Sequence, residues 1–321
     1  MRPGRDCPAD YGLGPRAFRD QPELAAEVVY VVGGLYGNPV ALDAIESLFE
    51  GERTQAKRIV FNGDFHWFDR DRAQFAAIES RTRAHHRLRG NVETELARGD
   101  DAAGCGCAYP EQVDEATVER SNRILAALKE AARASGCAAA LGALPMVARV
   151  RVGDCGVAIT HGDDLSLAGW RLSRERVARS WRDGLADSLR AIGAQLVASS
   201  HTCEPLVSVY EQGCEVLAAV NNGAAGMANF AGSASGLITR IALGSAPLPA
   251  RARSVHRIAV AGADVRAIEV PIDLGAWLEV FDRQWPPGSD AALSYRRRVA
   301  GGARLQRERL RVDPARAAAC A

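Results

Sequence analysis

The sequence predicts an α/β fold. In the first hundred residues, short apolar runs alternate with segments of helical periodicity, which is typical of strands that helices connect within one largely parallel sheet. A glycine-rich turn follows the first apolar run, as it does at many strand-to-helix junctions that hold ligands. Beyond residue 146 the apolar runs are separated by short turns, which indicates antiparallel strands.

The first half of the chain supplies three strands and two helices. Val28–Val32 is an uninterrupted apolar run and predicts a buried strand, and helical spacing predicts a helix over residues 40–50. Residues 56–64 predict a second strand that ends at Gly63 and Asp64. A helix over residues 72–87 and a short third strand near Gly90 complete the alternation. Function is expected at the carboxyl ends of such strands.

The second half adds a hairpin and closing strands. After a Gly/Cys/Pro-rich loop at residues 100–110, residues 113–134 have the spacing of a long amphipathic helix. A turn at Gly153 and Asp154 predicts a hairpin whose second strand runs into His161. The remaining predicted elements are a helix at 174–189, strands within 194–202, 206–224, 236–244 and 255–273, and helices from Leu274 onward.

Composition argues against several classes of partner. The chain has 40 basic and 39 acidic residues among 321, so it lacks the charge excess that binds nucleic acid or an anionic membrane. No apolar run approaches the roughly 20 residues that span a bilayer, and the polar start is unlike a secretory signal. We therefore expect a cytoplasmic protein whose eight cysteines are reduced thiols. The arginines at 296–298 and 304–311 are interpreted as a solvated helix face.

Four predicted strand ends deliver polar side chains that metals accept as ligands. They are Asp64, Asn91, His161 and His201. Taken singly, each has an ordinary structural explanation: Asp64 could cap a turn, Asn91 could occupy a left-handed turn, and an isolated histidine is more often hydrogen-bonded structure than a ligand. Their shared placement makes the set a candidate site.

The order of these residues resembles the calcineurin-like metallophosphoesterases, in particular their small bacterial phosphodiesterase branch. That family reads D-x-H followed by G-N, then G-D-x-x-D, G-N-H-[ED], a strand ending in H-G, and G-H-T-H. The corresponding stretches here are residues 34–38 (GLYGN), 63–64 (GD), 90–93 (GNVE), 161–162 (HG) and 200–203 (SHTC). Residues 220–226 (VNNGAAG) resemble the N-P-G-S stretch that follows in the family.

The resemblance spans residues 28–273 and implies a fold of two packed sheets flanked by helices. We therefore predict a metallophosphoesterase-like domain over residues 1–273, with its core from about residue 28. Residues 274–321 are predicted to be a helical extension of the same domain, which could cap it or shape a pocket.

The resemblance also implies that one of the family's two metal positions is degenerate. In the family, one metal takes the D-x-H pair, a bridging aspartate and the last histidine of G-H-T-H. Those positions are Gly34, Tyr36, Asp64 and Cys203 here, so three of the four ligands are changed. This metal is expected to be absent.

The ligand set of the other metal is complete. It comprises the bridging aspartate, the asparagine of the third motif, the H-G histidine and the first histidine of G-H-T-H, which are Asp64, Asn91, His161 and His201. One carboxylate, one amide oxygen and two imidazoles suit Mn²⁺, Fe²⁺ or Zn²⁺. We therefore expect a single divalent ion.

Three residues are candidates for proton handling or catalysis. The family's general-acid histidine is Val92 here. His66 follows Asp64 by two residues, a spacing that places side chains on one face of an extended backbone. It could act as an acid or base, serve as an additional ligand, or pack as a turn histidine. Tyr36 and Cys203 are expected beside the vacated metal position, as a phenol donor and a reactive thiol or as fillers of an unused space.

Five residues are candidates for substrate contacts. Asn38 and Asn222 lie in stretches that resemble family motifs. Trp67 suggests an aromatic wall that stacks on a ring of the substrate or simply packs. Cys105 and Cys107 form a C-x-C pair on a glycine loop, which could bind metal, form a redox pair, contact substrate or have no chemical role.

The resemblance implies a metal-dependent hydrolase that acts on a phosphoester of a small organic molecule. Two alternatives stay open. One is a non-catalytic descendant of the fold that binds a ligand or partner. The other is a metal-dependent enzyme with altered, non-phosphate chemistry that Cys203 or the Cys105/Cys107 pair assists. The complete ligand set favours catalysis, whereas loss of the acid and of one metal favours altered chemistry.

Overall fold

Two six-stranded β-sheets pack against each other within residues 1–314, which are the residues that the computed structural model describes. Apolar side chains from both sheets fill the space between them, among them Val29 and Val60 from one sheet and Val157 and Leu196 from the other. Helices cover the outer faces of both sheets. The predicted two-sheet α/β architecture is confirmed.

Strands and helices are interspersed along the chain. The strands are β1 (Glu23–Ala25), β2 (Val28–Val32), β3 (Lys57–Asn62), β4 (His86–Leu88), β5 (Val147–Val152), β6 (Cys155–Thr160), β7 (Leu196–Ser199), β8 (Leu206–Gln212), β9 (Glu215–Asn221), β10 (Gly236–Leu243), β11 (Ser254–Val260) and β12 (Ala263–Val270). The α-helices are α1 (Pro15–Arg19), α2 (Pro39–Glu50), α3 (Arg72–Thr82), α4 (Asn91–Ala97), α5 (Glu115–Ser135), α6 (Ala138–Gly142), α7 (Val177–Ser180), α8 (Ala186–Ile192), α9 (Leu274–Gln284) and α10 (Asp290–Gly301).

Sheet I has the strand order β11-β12-β10-β2-β3-β4. β2, β3 and β4 run parallel, as the alternation of strands and helices predicts. β10, however, pairs antiparallel with β2, and β12 and β11 continue the antiparallel half. The antiparallel strands expected beyond residue 146 are confirmed in this half, where a short turn joins β11 to β12.

Sheet II has the order β1-β5-β6-β7-β9-β8. The predicted hairpin is confirmed: Val152 pairs with Cys155 across the turn, where Gly153 has a φ of +59°. β6, β7 and β9 run parallel to one another, whereas β8 and β9 form a second antiparallel hairpin. The N-terminal segment contributes β1, which pairs in parallel with β5 at the edge of the sheet.

Two helices differ from their predicted bounds. α3 ends at Thr82 rather than at residue 87, since the chain leaves the helix in time to form β4 beside β3. The helix predicted over residues 174–189 is interrupted by a π-helical turn at Trp181–Leu185, where Gly184 has a φ of +90°. A left-handed residue of this kind breaks the regular hydrogen-bonding pattern of a helix.

The C-terminal segment is helical over α9 and α10. Trp277 and Phe281 of α9 pack on Phe68, with ring centroids 6.4 and 5.1 Å apart, and α10 is tied to α5 by an ion pair between Arg123 and Asp290. Residues 315–321 of the predicted extension lie outside the described residues, and the division at residue 273 stays a prediction. None of the helices within residues 1–314 combines the length and apolar character that crossing a bilayer requires.

Candidate metal centre

The four predicted metal ligands lie together where the two sheets meet. Asp64 follows β3, His161 follows β6, His201 follows β7, and Asn91 opens α4 just after β4. Because β3 and β4 are parallel neighbours in sheet I, and β6 and β7 in sheet II, their carboxyl ends deliver these residues to adjoining edges. All four side chains are buried.

The acceptor atoms of these four side chains converge on one point. His161 Nε2 lies 3.0 Å from Asn91 Oδ1, 3.1 Å from His201 Nδ1 and 3.4 Å from Asp64 Oδ2. The ligand atoms of Asp64, His161 and His201 all lie within 4.8 Å of one another. Ligand atoms that bind one ion at about 2.1 Å stand roughly 3 Å apart. The spacing therefore suits a small cation.

Backbone carbonyls fix which ring nitrogens carry a proton. His161 Nδ1 lies 2.9 Å from the carbonyl oxygen of Asn62, and His201 Nε2 lies 3.0 Å from that of Cys107. A carbonyl oxygen only accepts, so each of these nitrogens donates. The inner nitrogens, His161 Nε2 and His201 Nδ1, then present lone pairs to the centre of the cluster.

Asn91 completes a set of four inward-facing atoms that can bind a cation or share a proton. Its Nδ2 donates to the carbonyl oxygen of Cys105 at 2.9 Å, which turns Oδ1 toward His161. Burial and the neighbouring His161 lower the pKa of His201 to about 3, so His201 stays neutral. Burial by itself lowers the pKa of His161, but the Asp64 carboxylate outweighs it and the pKa is raised. A cation or a proton must offset these four acceptors.

Glu93 holds the Asp64 loop in place. Its buried carboxylate accepts from the backbone N–H groups of Asp64, Phe65 and Gly90, at 2.8, 3.1 and 2.8 Å. Asp64 itself has a φ of +51°, which a non-glycine residue adopts only where its surroundings enforce it. The sequence analysis assigned no role to Glu93, although an acidic side chain at the third position of a helix is a known acceptor for backbone N–H groups.

Tyr36 and Cys203, which the resemblance places at the neighbouring metal position, contact each other. Tyr36 Oη lies 2.7 Å from Cys203 Sγ. The Tyr36 ring covers Gly34 so closely that a Cβ atom at residue 34 would stand 2.8 Å from Tyr36 Cζ. Burial raises the pKa of the Tyr36 hydroxyl and of the Cys203 thiol. The expected thiolate at Cys203 is therefore not supported.

A pocket of about 270 Å³ reaches the cluster, and Asp64, Asn91 and His201 form part of its lining. Tyr36 and Cys203 line the same pocket. Much of the remaining wall is apolar or aromatic: Trp67, Val92, Tyr109, Val113, Trp170 and Tyr295. The pocket also contains Arg298, which sequence reasoning placed on a solvated helix face.

Comparison with known proteins identifies this architecture. No protein-family model matches the chain, and no curated protein sequence matches it. A metallophosphoesterase from Sphaerobacter thermophilus superposes with a TM-score of 0.53 and 15% identity, covering 86% of this chain and 100% of its own. The chain has the metallophosphoesterase fold. A hypothetical protein from Pyrococcus horikoshii OT3 superposes with a TM-score of 0.58 and 14% identity, covering 88% and 100%.

Within this metallophosphoesterase fold, His66 lies outside the pocket. Its Nδ1 is 2.6 Å from Asp69 Oδ2, its Nε2 is 3.6 Å from Glu79 Oε2, and its ring stacks on Phe75 with centroids 3.7 Å apart. Burial by itself lowers the pKa of His66, but the two carboxylates outweigh it and raise the pKa to about 9. The predicted same-face placement fails because the left-handed backbone of Asp64 turns the chain. Proton donation from His66 to a substrate does not fit this geometry.

Two predicted substrate contacts have structural roles instead. Asn38 caps α2, where its Oδ1 accepts from the Ala41 N–H at 3.0 Å, and its Nδ2 donates to the carbonyl oxygen of Gly226. Asn222 Nδ2 donates to the carbonyl oxygen of Gly33 at 2.9 Å. Both side chains are buried and tie loops of the metallophosphoesterase fold together rather than line the pocket.

Of the remaining predicted contacts, Trp67 and Cys107 line the pocket, whereas Cys105 is buried and does not. The tight glycine loop brings the sulfur atoms of Cys105 and Cys107 into contact. The expectation of reduced thiols stays a prediction. The loop holds the metal ligands through its carbonyl oxygens, which accept from Asn91 and His201. Its cysteines thus contact the candidate metal centre mainly through their backbone carbonyl groups.

Proposed function

We propose that this protein is a hydrolase that uses one divalent metal ion to cleave a phosphoester of a small organic molecule. The observation that carries the proposal is the convergence of four candidate ligand atoms in a metallophosphoesterase fold, with three of the four residues in the lining of a pocket. Asp64, Asn91, His161 and His201 would hold the ion. This donor set suits Mn²⁺, Fe²⁺ or Zn²⁺.

A bound dication lowers the pKa of a coordinated water and offsets the charge that develops on a phosphoryl group. The surrounding residues prepare the site for it. The carbonyl oxygens of Asn62 and Cys107 orient the two imidazoles, and Glu93 holds the Asp64 loop. Partners of this kind fix the orientation of ligands and contribute to metal affinity. The Tyr36 ring over Gly34 supports a single ion, since a carboxylate at residue 34 does not fit beneath it.

The first experiment measures the metal content of protein purified without added metal and its hydrolysis of phosphomonoesters and phosphodiesters with Mn²⁺, Fe²⁺ and Zn²⁺. We expect one metal per chain and turnover of at least one ester. Asp64→Ala should lose both. Asp187→Ala is the matched control, because the Asp187 side chain is 81% exposed on α8, and it should keep both.

Other outcomes would contradict the proposal. Two metals per chain would overturn the single-ion site. One metal without turnover of any phosphoester would favour a ligand-binding protein or non-phosphate chemistry. No metal, with Asp64→Ala indistinguishable from the parent protein, would remove the site altogether.

A further inference from the structure

Aromatic rings from four separate parts of the chain surround the pocket, and a guanidinium group stands among them. We infer that the substrate is a phosphate ester of a phenol-type hydroxyl, with its aromatic ring between these side chains and its phosphoryl group at Arg298. The ring-binding residues are Trp67, Tyr109, Trp170 and Tyr295. The inference rests on the proposed function and names its substrate class.

The four rings form two pairs. Trp67 meets Tyr295 edge to face, with centroids 6.3 Å apart and planes at 89°. Tyr109 and Trp170 lie 6.1 Å apart with a tilt of 44°. Aromatic side chains prefer edge-to-face and offset contacts with a further ring, so these two pairs suit a planar aromatic group better than a puckered aliphatic ring.

The polar atoms of two of these rings are engaged by the protein. Trp170 Nε1 donates to the carbonyl oxygen of Cys107 at 3.1 Å, and Tyr109 Oη lies 3.1 Å from Ser121 Oγ. The carbon faces of these two rings are therefore the surfaces that remain available for contact with a ligand. Val92 and Val113 extend this apolar lining. A ligand in this pocket gains little binding free energy from polar substituents and much from apolar ring surface.

The size of the pocket limits the substrate. Its volume is about 270 Å³, and a cavity of about 150 Å³ is enough to hold benzene. The difference leaves room for one phosphoryl group beside a single ring. A large second substituent on the phosphate would extend beyond the pocket, so the volume favours a monoester.

Arg298 supplies the charge that a phosphate needs. Its Nη2 donates to the carbonyl oxygen of Cys203 at 2.7 Å and its Nε to that of Ala228 at 3.2 Å. Its neighbour Arg296 pairs with Asp282, whereas no carboxylate among residues 1–314 pairs with Arg298. Two neutral carbonyls therefore hold a cation whose charge is not neutralised. A guanidinium held in this way is suited to bind a phosphoryl oxygen.

The reaction chemistry also favours a phenol-type leaving group. Water forms the new P–O bond and releases a proton, while the P–O bond to the ring breaks with its electron pair on the leaving oxygen. Tyr36 Oη is tied to Cys203, and His66 is enclosed elsewhere, so proton donation within the pocket is weak. A phenol has a pKa of about 10, against roughly 16 for an alcohol that resembles water. Phenolate can therefore leave first and take its proton from solvent.

Three monoesters separate ring recognition from leaving-group chemistry. Phenyl phosphate has an aromatic ring and a phenolate leaving group, benzyl phosphate has the ring and an alkoxide, and cyclohexyl phosphate has neither. We expect kcat for phenyl phosphate to exceed that for the other two at least hundredfold, because a positioned acid contributes about 10²–10⁴-fold. KM should be about threefold to tenfold lower for the two aromatic esters.

Binding provides a readout that does not depend on turnover. Calorimetric titration with phenylphosphonate and cyclohexylphosphonate should show a preference of about threefold to tenfold for the aromatic ligand. Tyr295→Leu and Trp170→Leu should each reduce this preference. Arg298→Gln should weaken both ligands at least tenfold. Arg297→Gln, an exposed neighbour on the same helix, is the matched control and should bind like the parent protein.

The failures are distinguishable. Turnover of phosphoesters with equal kcat for phenyl and cyclohexyl phosphate, or equal binding of the two phosphonates, would overturn the inference and leave the proposed function intact. Absence of turnover on every phosphoester would overturn the proposed function. Unchanged phosphonate affinity in Arg298→Gln would remove Arg298 from the site.

Discussion

Buried histidines of this protein occupy two environments, which differ in the atoms that face the ring nitrogens. His161 and His201 donate outward to carbonyl oxygens and turn lone pairs inward, toward each other and toward Asp64 and Asn91. His66 has a carboxylate at each nitrogen instead. Neutral carbonyl oxygens therefore face the outer nitrogens in one cluster, whereas carboxylates face both nitrogens in the other.

This difference shows where each cluster obtains its positive charge. The His66 ring carries a proton, which its pKa of about 9 keeps at neutral pH, and Arg83 and Arg87 also pair with Glu79, so the two carboxylates are compensated by protein groups. In the pocket cluster Asp64 raises the pKa of His161 as well, but the outer nitrogens of both rings face neutral carbonyl oxygens. The compensating charge therefore belongs at the shared inner position, as a proton on His161 or as a cation, and we propose that a metal ion supplies it there.

The largest expected effect comes from His161→Ala. His161 Nε2 is the atom that contacts the other three ligands, so its removal should weaken metal binding more than the 10–100-fold typical for loss of a residue that only orients a ligand. Metal content should fall from one to below about 0.1 per chain, measured by elemental analysis. His256→Ala in β11 is the control and should keep its metal. Full occupancy in His161→Ala would contradict the assignment.

His66→Asn should affect stability instead of metal binding. The substitution leaves the Asp69 carboxylate buried without its cation, which typically costs about 3–5 kcal/mol, whereas Glu79 keeps its ion pairs with Arg83 and Arg87. Urea unfolding should show this loss in the free energy of unfolding, with metal content and turnover unchanged. A tenfold loss of turnover at unchanged stability and metal content would restore His66 as a proton-handling residue.

Glu79→Gln tests the buried ion pairs around His66, Asp69 and Glu79 through the pH dependence of protein stability. Burial raises the pKa of Glu79, but His66, Arg87 and Arg83 outweigh it and lower the pKa from 4.5 to about 2. The resulting stabilisation is present above pH 4.5 and is lost as the pH falls through about 2. It amounts to about 3 kcal/mol.

Unfolding free energies of the parent protein and of Glu79→Gln should therefore differ most above pH 4.5 and converge toward pH 2. Urea titrations at several acidic pH values measure this. Parallel curves for the two proteins would show that Glu79 does not carry the pH dependence. Metal content at pH 7 is the control and should be the same in both, since Glu79 lies outside the pocket.

The ligand cluster could be predicted from sequence because each ligand stands at the end of an apolar run. Parallel neighbours bring such ends together without further information. The partner of β10 could not be predicted in the same way, because the pairing of β10 with β2 joins segments about two hundred residues apart. The same-face placement of His66 fails because the spacing rule for strands assumes an extended backbone, and Asp64 is left-handed.

Arg298 shows a second limit of sequence reasoning. Three consecutive arginines, 296–298, resemble a solvated helix face, and this holds for Arg297, which is exposed. Arg298 instead reaches the carbonyl oxygen of Cys203, 95 residues earlier in the chain. A contact over that separation depends on how α10 docks on the sheets. No local pattern distinguishes Arg298 from its neighbours, so only the structure could place it in the pocket.

The smallest expected effect is that of Tyr36→Phe, which removes the hydroxyl that contacts Cys203 in the pocket lining. The contact of Tyr36 Oη with Cys203 Sγ is one neutral hydrogen bond, so its loss should cost about 1 kcal/mol of stability. Because phenolate leaves without a donor, kcat for phenyl phosphate should change less than about threefold, with full metal occupancy. Tyr30→Phe, which removes a buried hydroxyl bound to Glu52, is the matched control. A hundredfold loss of kcat in Tyr36→Phe alone would instead make Tyr36 the proton donor. The pocket would then combine a metal with an acid, and alcohol esters would become possible substrates.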